Sequence, residues 1–271
     1  MRLHPVLLFL MLGLCPAWAQ SPPPTTNADP APIAPRALPV DPAAITASDV
    51  AVPGGVNVHW YGHGFVFLTS SVGIRAAIDP FGPETVQYAF PTHLTADFVL
   101  ISHETEDHSA ADLIFGNPLI FRSVMAVGLQ RANGIPFHGI SLQKDAYGQS
   151  GANTAFTLTF DGITFGYLGQ INLPLLSTEK SQLGQVDVLF LPVGLTSLSV
   201  AELNQVAKDM SAKIIIPINY KTEKSGGLNL RTLDDYLSAT KFPVRKLDTS
   251  DFVLTRSMVP QSPIVYVLKS P

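Results

Sequence analysis

Short apolar runs separated by Gly, Ser and Pro mark the first half of the chain after its N-terminal region. Such runs, bounded by turn-forming residues, are typical of β-strands. We predict strands over 56–60, 65–69, 74–78 and 98–102. Two further runs, 156–160 and 163–167, flank Asp161-Gly162, a dipeptide that suits a tight type I′ turn. The pattern there predicts a β-hairpin.

The second half of the chain changes character, because strand-like and helix-like patterns alternate. In chain order we predict a strand over 186–192, a helix over 200–210, a strand over 213–217, a helix over 230–240 and a strand over 264–268. Strands first and alternating strands and helices later predict two sheets covered by helices.

Length and composition place the chain among folded globular proteins. It has 271 residues, of which 46% are hydrophobic and 14% charged, enough for one sizeable domain with a buried core. The net charge of -4 comes without any run of Lys and Arg that could neutralise several phosphates. Nucleic acid is therefore excluded as an expected partner.

Residues 1–19 have the composition of a secretory signal peptide. A basic Arg2 precedes an apolar stretch over 6–14, and Ala17-Trp18-Ala19 forms a small-x-small cleavage site before Gln20. The apolar stretch is shorter than the roughly 20 residues that span a bilayer. We expect export to the periplasm or the extracellular space, with no stable membrane span after the peptide is removed.

Residues 20–54 are rich in Pro, Ala and Thr and predict an extended linker. The folded domain is predicted over 55–271. Cys15, the only cysteine, lies inside the signal peptide, where lipidation is a minor alternative. The mature chain then has neither a disulfide nor a thiolate metal site.

A dense cluster of His and acidic residues follows the buried strand predicted over 98–102. It reads His103-Glu-Thr-Glu-Asp107-His108 and resembles the HxHxDH metal loop of the metallo-β-lactamase superfamily. In that pattern the first two histidines bind one metal ion, while the Asp and the last His bind a second. Thr105 stands in the place of the second histidine.

Other segments resemble the same family, in its lactonase-like or zinc-dependent hydrolase branch, and in the family's order. They are Trp60-Tyr-Gly-His63, Ile78-Asp-Pro-Phe81, Gly151–Phe156, Asp161–Gln170, Asp187–Gly194 and Ile216–Thr222. Several ordered landmarks are more specific than one short motif. The resemblance implies a four-layer αββα fold of the α/β (α+β) class, with two mixed β-sheets sandwiched by helices.

The same resemblance indicates that most metal ligands have been replaced. The positions that differ from the family's His, His, Asp and His are Thr105, Lys144, Gln170 and Asn219. By this matching the first metal position keeps only His103, and the second keeps Asp107 and His108. A catalytic zinc ion typically has three protein ligands, and neutral amides bind divalent cations weakly. Two metal ions held together are therefore not expected.

Two further residues are candidates for supporting the site. His63 is either a hydrogen-bonding partner near the site or a packing residue after a turn, and we favour packing. Asp79 is expected to orient the metal loop, as the resemblance implies.

These observations lead to three functional hypotheses. The first is a non-catalytic protein, a pseudoenzyme whose cleft binds a small molecule or a protein, with no cofactor and with His103, Asp107 and His108 as a hydrogen-bonded polar cluster. The second is a lactonase-, esterase- or phosphodiesterase-type hydrolase that works with zinc or another divalent ion at one weak site, or with a rearranged site. The third is a structural or interaction domain on a Pro-rich tether. We expect the first.

Overall fold

The computed structural model describes residues 51, 53–142 and 152–271. All of them belong to one compact unit, Asp41–Pro271. The predicted signal peptide, most of the predicted linker and Lys144 lie outside the described residues. Within the described residues, no helix combines the length and the apolar character that crossing a bilayer requires.

In the described part of the chain, fourteen strands and three α-helices follow one another. They are β1 (Val56–Gly62), β2 (Phe65–Thr69), β3 (Arg75–Ile78), β4 (Phe98–Ile101), β5 (Leu119–Arg122), β6 (Gly128–Ala132), β7 (Ile135–Leu142), β8 (Asn153–Phe160), β9 (Ile163–Tyr167), α1 (Ser177–Leu183), β10 (Val188–Pro192), α2 (Val200–Asp209), β11 (Ile214–Ile218), α3 (Leu233–Ala239), β12 (Val244–Lys246), β13 (Asp251–Leu254) and β14 (Ile264–Val267).

The strands form two mixed sheets, as predicted. The first has the order β13-β1-β2-β3-β4-β5, and the second has the order β12-β14-β11-β10-β9-β8-β7-β6. In the first sheet β3, β4 and β5 are parallel to one another. In the second sheet β9, β10, β11 and β14 are parallel, whereas β6 to β9 form an antiparallel meander.

Both faces of β1 to β4 in the first sheet are buried, which explains the nearly continuous apolar character of these strands. Val66 and Leu68 of β2 pack into the large core that the two sheets share. Phe65 and Phe67 of the same strand point the other way, into a second core that the segment 81–96 helps to cover. Side chains alternate between the two faces of a strand, so each core receives every second residue.

Two of the three described α-helices, α2 and α3, begin after a side chain that caps them. Ser199 caps α2 and accepts a hydrogen bond from the backbone of Glu202, while Thr232 caps α3 and accepts one from Asp235. Such caps satisfy backbone N–H groups that have no partner in the first turn. The predicted helix over 230–240 therefore starts only after Thr232.

The hairpin between β8 and β9 has the predicted turn. Asp161 has a φ of 47° and Gly162 a φ of 75°. A type I′ turn requires positive φ at both central residues, and Asp and Gly tolerate it. The turn places Phe156 opposite Tyr167, the last residue of β9.

Candidate functional site

The candidate site lies where several strands end. In the first sheet β1, β3 and β4 run in one direction, because β2 is antiparallel to β1 and β3 while β4 is parallel to β3. His63 directly follows β1, Asp79 directly follows β3, and His103 comes two residues after β4. In the second sheet Asn219 directly follows β11. Ligand sites in such sheets form beyond the carboxyl ends of the strands.

Three of these residues have a left-handed backbone. The φ angles are 47° at His63, 48° at Asp79 and 55° at Asn219. This conformation is uncommon for residues other than Gly, and Asn, Asp and His adopt it more readily than most. Each strand thus ends in a sharp change of direction, at a residue type that tolerates it. Uncommon backbone conformations of this kind cluster at functional sites.

The carboxylate of Asp79 organises the buried centre of the site. Its Oδ1 accepts a hydrogen bond of 2.6 Å from the backbone N–H of Ser102, and its Oδ2 accepts one from the Ser102 hydroxyl. The same Oδ2 accepts hydrogen bonds from Nδ1 of His108 at 2.8 Å and from the hydroxyl of Tyr167 at 2.9 Å. Burial, together with the charge of Asp79, raises the pKa of Tyr167 well above its ordinary value, so its hydroxyl keeps the proton.

The ring of His108 is held at both nitrogens. Because a carboxylate can only accept, Nδ1 of His108 carries the proton that it donates to Asp79. Its Nε2 then accepts a hydrogen bond of 3.0 Å from Nδ2 of Asn219. Both His108 and Asn219 are fully buried. The two side chains and Asp79 form one continuous chain of hydrogen bonds.

Asp107 forms a second contact pair with His63. Nε2 of His63 lies 3.0 Å from Oδ2 of Asp107. Burial alone would raise the pKa of the Asp107 carboxyl, but the hydrogen bond from His63, the nearby histidine charges and a hydrogen bond from Thr105 outweigh it. The pKa of Asp107 is therefore far below its ordinary value, and the group is a carboxylate that accepts from His63. Burial lowers the pKa of His63, which favours a neutral ring.

The hydroxyl of Ser102 positions the ring of His103. The Ser102 hydroxyl donates to Asp79, so it accepts the hydrogen bond of 2.7 Å that joins it to Nδ1 of His103. The rings of His103 and His108 lie side by side, with centroids 4.3 Å apart. Ser102 thus connects the first residue of the His/Asp loop to the Asp79 network.

Comparison with known proteins agrees with this geometry. Residues 57–219, more than half of the 271-residue chain, match the model of the Beta-lactamase superfamily domain. The chain belongs to the metallo-β-lactamase superfamily. A search of curated proteins gives no significant match.

Solved structures of the superfamily share this fold. A candidate zinc-dependent hydrolase of the metallo-β-lactamase superfamily from Thermotoga maritima is 27% identical, with a TM-score of 0.63, over 80% of this chain and 100% of that one. A candidate metal-dependent hydrolase from Parabacteroides distasonis is 21% identical, with a TM-score of 0.55, over 80% and 94% of the two chains. A metallo-β-lactamase fold protein from Bacillus subtilis is 11% identical, with a TM-score of 0.53, over 79% and 97%.

The residues that the resemblance places at substituted ligand positions do not offer the donor set of a two-metal centre. Thr105 is exposed, and it contributes a hydrogen bond to Asp107. Gln170 is half-buried, and its backbone N–H donates to Oδ1 of Asn153 at 3.1 Å. Asn219 is bonded to His108, as described above. Because an amide and a hydroxyl replace imidazole and carboxylate, the donors that the structure describes do not fit two metal ions.

The described side chains do fit a single metal ion. Two groups of three buried side chains have ligand atoms that lie within 4.8 Å of one another. The first group consists of His63, Asp107 and His108. The second consists of Asp79, His103 and His108. The predicted ligands His103 and Asp107 fall into different groups, with His108 common to both. These groups fit a divalent ion at one site, and they do not fit the expectation that the chain holds no metal at all.

Several residues of this network have no recognisable signal in the sequence. Ser102 and Tyr167 lie in predicted strands, and only the folded chain shows that their hydroxyls meet Asp79. The structure places His63 against Asp107 in the site. Of the two roles considered for His63, this contact corresponds to the hydrogen-bonding partner and not to the packing residue that we favoured. The available signal was that Asp79 directly follows the strand predicted over 74–78 and that His63 comes shortly after the strand predicted over 56–60.

Proposed function

We propose that this protein is an exported member of the metallo-β-lactamase superfamily that does not perform two-metal hydrolysis and whose cleft binds a small molecule or a protein. The observation that carries the proposal is the hydrogen bond from Asn219 to Nε2 of His108, 3.0 Å long. By its resemblance to the family, His108 is a ligand of the second metal ion. By the same resemblance, the neutral amide of Asn219 stands beside His108 where the family has its last histidine, so the second position lacks that imidazole ligand.

The neighbouring substitutions support the same conclusion. A pair of metal ions in such a site needs a carboxylate that bridges them, and Gln170 stands at that position. The amide of Gln170 is neutral and does not offset the charge of two cations. The first metal position is also short of ligands, because by the same resemblance Thr105 stands in the place of its second histidine.

Without two metal ions the two-metal route to hydrolysis is lost. A metal centre lowers the pKa of bound water toward neutrality and polarises the bond that is broken. In place of a two-metal centre, the described residues form a hydrogen-bonded cluster around Asp79. Such a cluster fixes the side chains that surround Asp79 in one arrangement.

Elemental analysis combined with activity measurements tests this proposal. Protein purified without chelators is expected to contain at most one equivalent of divalent metal per chain. Hydrolysis of ester, lactone and phosphodiester substrates is expected to stay at the level of a blank, with or without a chelator. Two equivalents of metal together with a turnover that a chelator abolishes would show that the proposal is wrong.

The binding role has its own test. A screen of small metabolites by thermal shift is expected to yield a ligand that raises the melting temperature, because a ligand that binds only the folded state stabilises it. If neither metabolites nor proteins from the same compartment bind, the third hypothesis, a tethered structural domain, is favoured instead.

A second candidate function is hydrolysis with one metal ion. It is favoured by the close approach of His63, Asp107 and His108, whose ligand atoms lie within 4.8 Å of one another. Two histidines and one carboxylate are a known catalytic zinc set when a water molecule completes the coordination. Chelator-sensitive hydrolysis with a single equivalent of metal would establish this candidate and remove the first.

Export is tested at the N-terminus. N-terminal sequencing of protein from the native secretion route is expected to give a mature chain that begins at Gln20. A chain that retains residues 1–19 and stays in the cytoplasm would contradict export without touching the proposal on chemistry.

A further inference from the structure

We propose that a single divalent transition-metal ion binds between His63, Asp107 and His108, so that His63 serves as a ligand in place of the histidines that the chain lacks. The inference rests on the proposed function in one respect, because it assumes that only one metal position remains. It departs from the HxHxDH matching, in which His103 is a ligand and His63 is not.

The distances in the structure are close to those of a coordination sphere. Oδ2 of Asp107 lies 3.0 Å from Nε2 of His63 and 3.5 Å from Nε2 of His108. Ligand atoms around a tetrahedral zinc ion, with bonds of about 2.0 to 2.1 Å, are separated by about 3.3 Å. The three side chains are buried, with exposed fractions of 1%, 8% and 0% for His63, Asp107 and His108. Small shifts of the side chains are therefore enough to bring all three onto one ion.

An independent observation comes from Asn219. Its Oδ1 is buried and has no hydrogen-bond partner among the described residues. A half-turn of the amide places this oxygen where Nδ2 now lies, 3.0 Å from Nε2 of His108. Two lone pairs would then face each other, which is favourable only if a cation lies beside them. An ion in this position satisfies both Oδ1 and the His108 ring.

The second group of potential ligands is less suitable. Asp79 already accepts hydrogen bonds from Ser102, His108 and Tyr167. The hydrogen bond to Asp79 also fixes the proton of His108 on Nδ1 and leaves Nε2 for a metal. A carboxylate that receives the outer N–H of a histidine is a recurrent support of metal-bound imidazole. Asp79 is thus a support for the ion and not its ligand.

The ligand chemistry indicates which ions bind. Two imidazoles with one carboxylate suit zinc and iron(II), and an amide oxygen from Asn219 completes a set of nitrogen and oxygen donors. Coordination through Nε2 requires the proton of His63 to move to Nδ1. This is a change of tautomer that leaves the ring neutral.

Titration calorimetry of the full chain with zinc alone is the decisive experiment, with His63→Gln and His103→Gln as a matched pair. Both histidines have exposed fractions of 1%, so the two changes are comparable in burial. In His63→Gln the new amide can still donate to Asp107, which preserves a support role but not a strong ligand. We expect one equivalent of zinc on the unmodified chain, a loss of about 100-fold or more in affinity for His63→Gln, and a change of less than about threefold for His103→Gln.

A second measurement covers the case in which His63→Gln does not fold, as judged by circular dichroism. X-ray absorption of zinc bound to the unmodified chain is expected to show two imidazole ligands, and the His103→Gln variant to show the same two. Loss of one imidazole in the His103→Gln variant overturns the proposal, as does zinc affinity that His63→Gln leaves unchanged.

The remaining outcomes separate this inference from the proposed function. No binding of zinc to any of the three proteins overturns the inference and leaves the absence of two-metal hydrolysis intact. Two equivalents of zinc that depend on His103, accompanied by chelator-sensitive turnover, overturn the proposed function as well.

Discussion

Asn219 and His108 form a direct hydrogen bond of 3.0 Å between two fully buried side chains. Asn219 lies at the end of β11 in the second sheet, and His108 lies in the loop after β4 in the first. The bond therefore joins the two sheets at the site. It also gives the Nε2 atom of His108 a partner in the absence of any ion.

Replacement of Asn219 by Gly tests how much this contact stabilises the fold. Glycine accepts the φ of 55°, so the variant removes the amide without backbone strain. We expect a loss of about 1–3 kcal/mol in the free energy of unfolding, because Nε2 of His108 is left buried without a partner. Urea denaturation measures the change, with Asn229→Gly as the exposed control. Equal, small effects in both variants would contradict the contact's role.

Asp79→Asn is expected to be among the most destabilising changes at the site. Ser102, His108 and Tyr167 all donate hydrogen bonds to the carboxylate of Asp79. In the variant, the N–H group of the amide would face one or more of these donors in place of an accepting oxygen. We expect a loss of about 3 kcal/mol or more, since hydrogen bonds to a buried charge are strong.

Asp161→Asn is the matched control for Asp79→Asn. Asp161 also has a left-handed backbone and also accepts from the N–H and hydroxyl of one serine, Ser71, but at the surface. There the loss is expected to stay below about 1 kcal/mol, because exposed contacts to a charge contribute little. Thermal and urea unfolding of both variants measure the difference. Similar losses at the two positions would refute the organising role of Asp79.

The stability of the protein should fall as the pH is lowered from 7 to 5, in part because of His63. Burial lowers the pKa of His63 in the folded chain from the ordinary value of 6.5. The charge of His108 also lowers this pKa, whereas Asp107 and Asp79 raise it without offsetting the effect of burial. As the pH falls, His63 therefore takes up a proton in the unfolded chain before it does so in the folded chain. The stability associated with the neutral ring is complete above pH 6.5 and is lost progressively as the pH falls below that value.

The variant His63→Gln isolates this contribution to the pH dependence. Glutamine does not titrate, so the difference in unfolding free energy between pH 7 and pH 5 is expected to be smaller in the variant than in the unmodified protein. Chemical denaturation at a series of pH values provides the measurement, in buffer without divalent metal. An identical pH profile for the two proteins would show that the pKa of His63 is not lowered by folding.

Gly64→Ala is predicted to disturb the site from the backbone side. A Cβ atom at Gly64 would lie 2.6 Å from Cε1 of His108 and 3.0 Å from the hydroxyl oxygen of Tyr167. Both rings are held by Asp79, so neither can move away at low cost. We expect a loss of about 1–3 kcal/mol, typical of overpacking. Gly227→Ala, where a Cβ would meet nothing within 4 Å, should be close to neutral.

The parts of the fold that were predictable have strong local signals. The strand over 65–69 is apolar up to Thr69 because both of its faces are buried, and Asp161-Gly162 matches the dihedral angles of its turn. The strands β5, β6, β7, β12 and β13 were not predicted from the apolar pattern. All of them except β7 are edge strands of the two sheets, and edge residues such as Leu119 and Leu129 remain exposed, so their burial pattern is weak.

The candidate site was predictable only as a location. The spacing of His103, Asp107 and His108 marks the loop, because these residues are close in sequence. The contact between His63 and Asp107 joins residues 44 positions apart, and no local pattern encodes it. It depends on the register of the first sheet and on the left-handed turn after β1.

The left-handed backbone at the end of β11 has a consequence for how this site could change over time. Histidine and asparagine both tolerate that conformation better than most residues do. An exchange of one for the other at position 219 replaces a metal-binding ring by an amide without adding conformational strain. The scaffold can therefore lose or regain a ligand there by a single substitution, while the strand that carries it keeps its course.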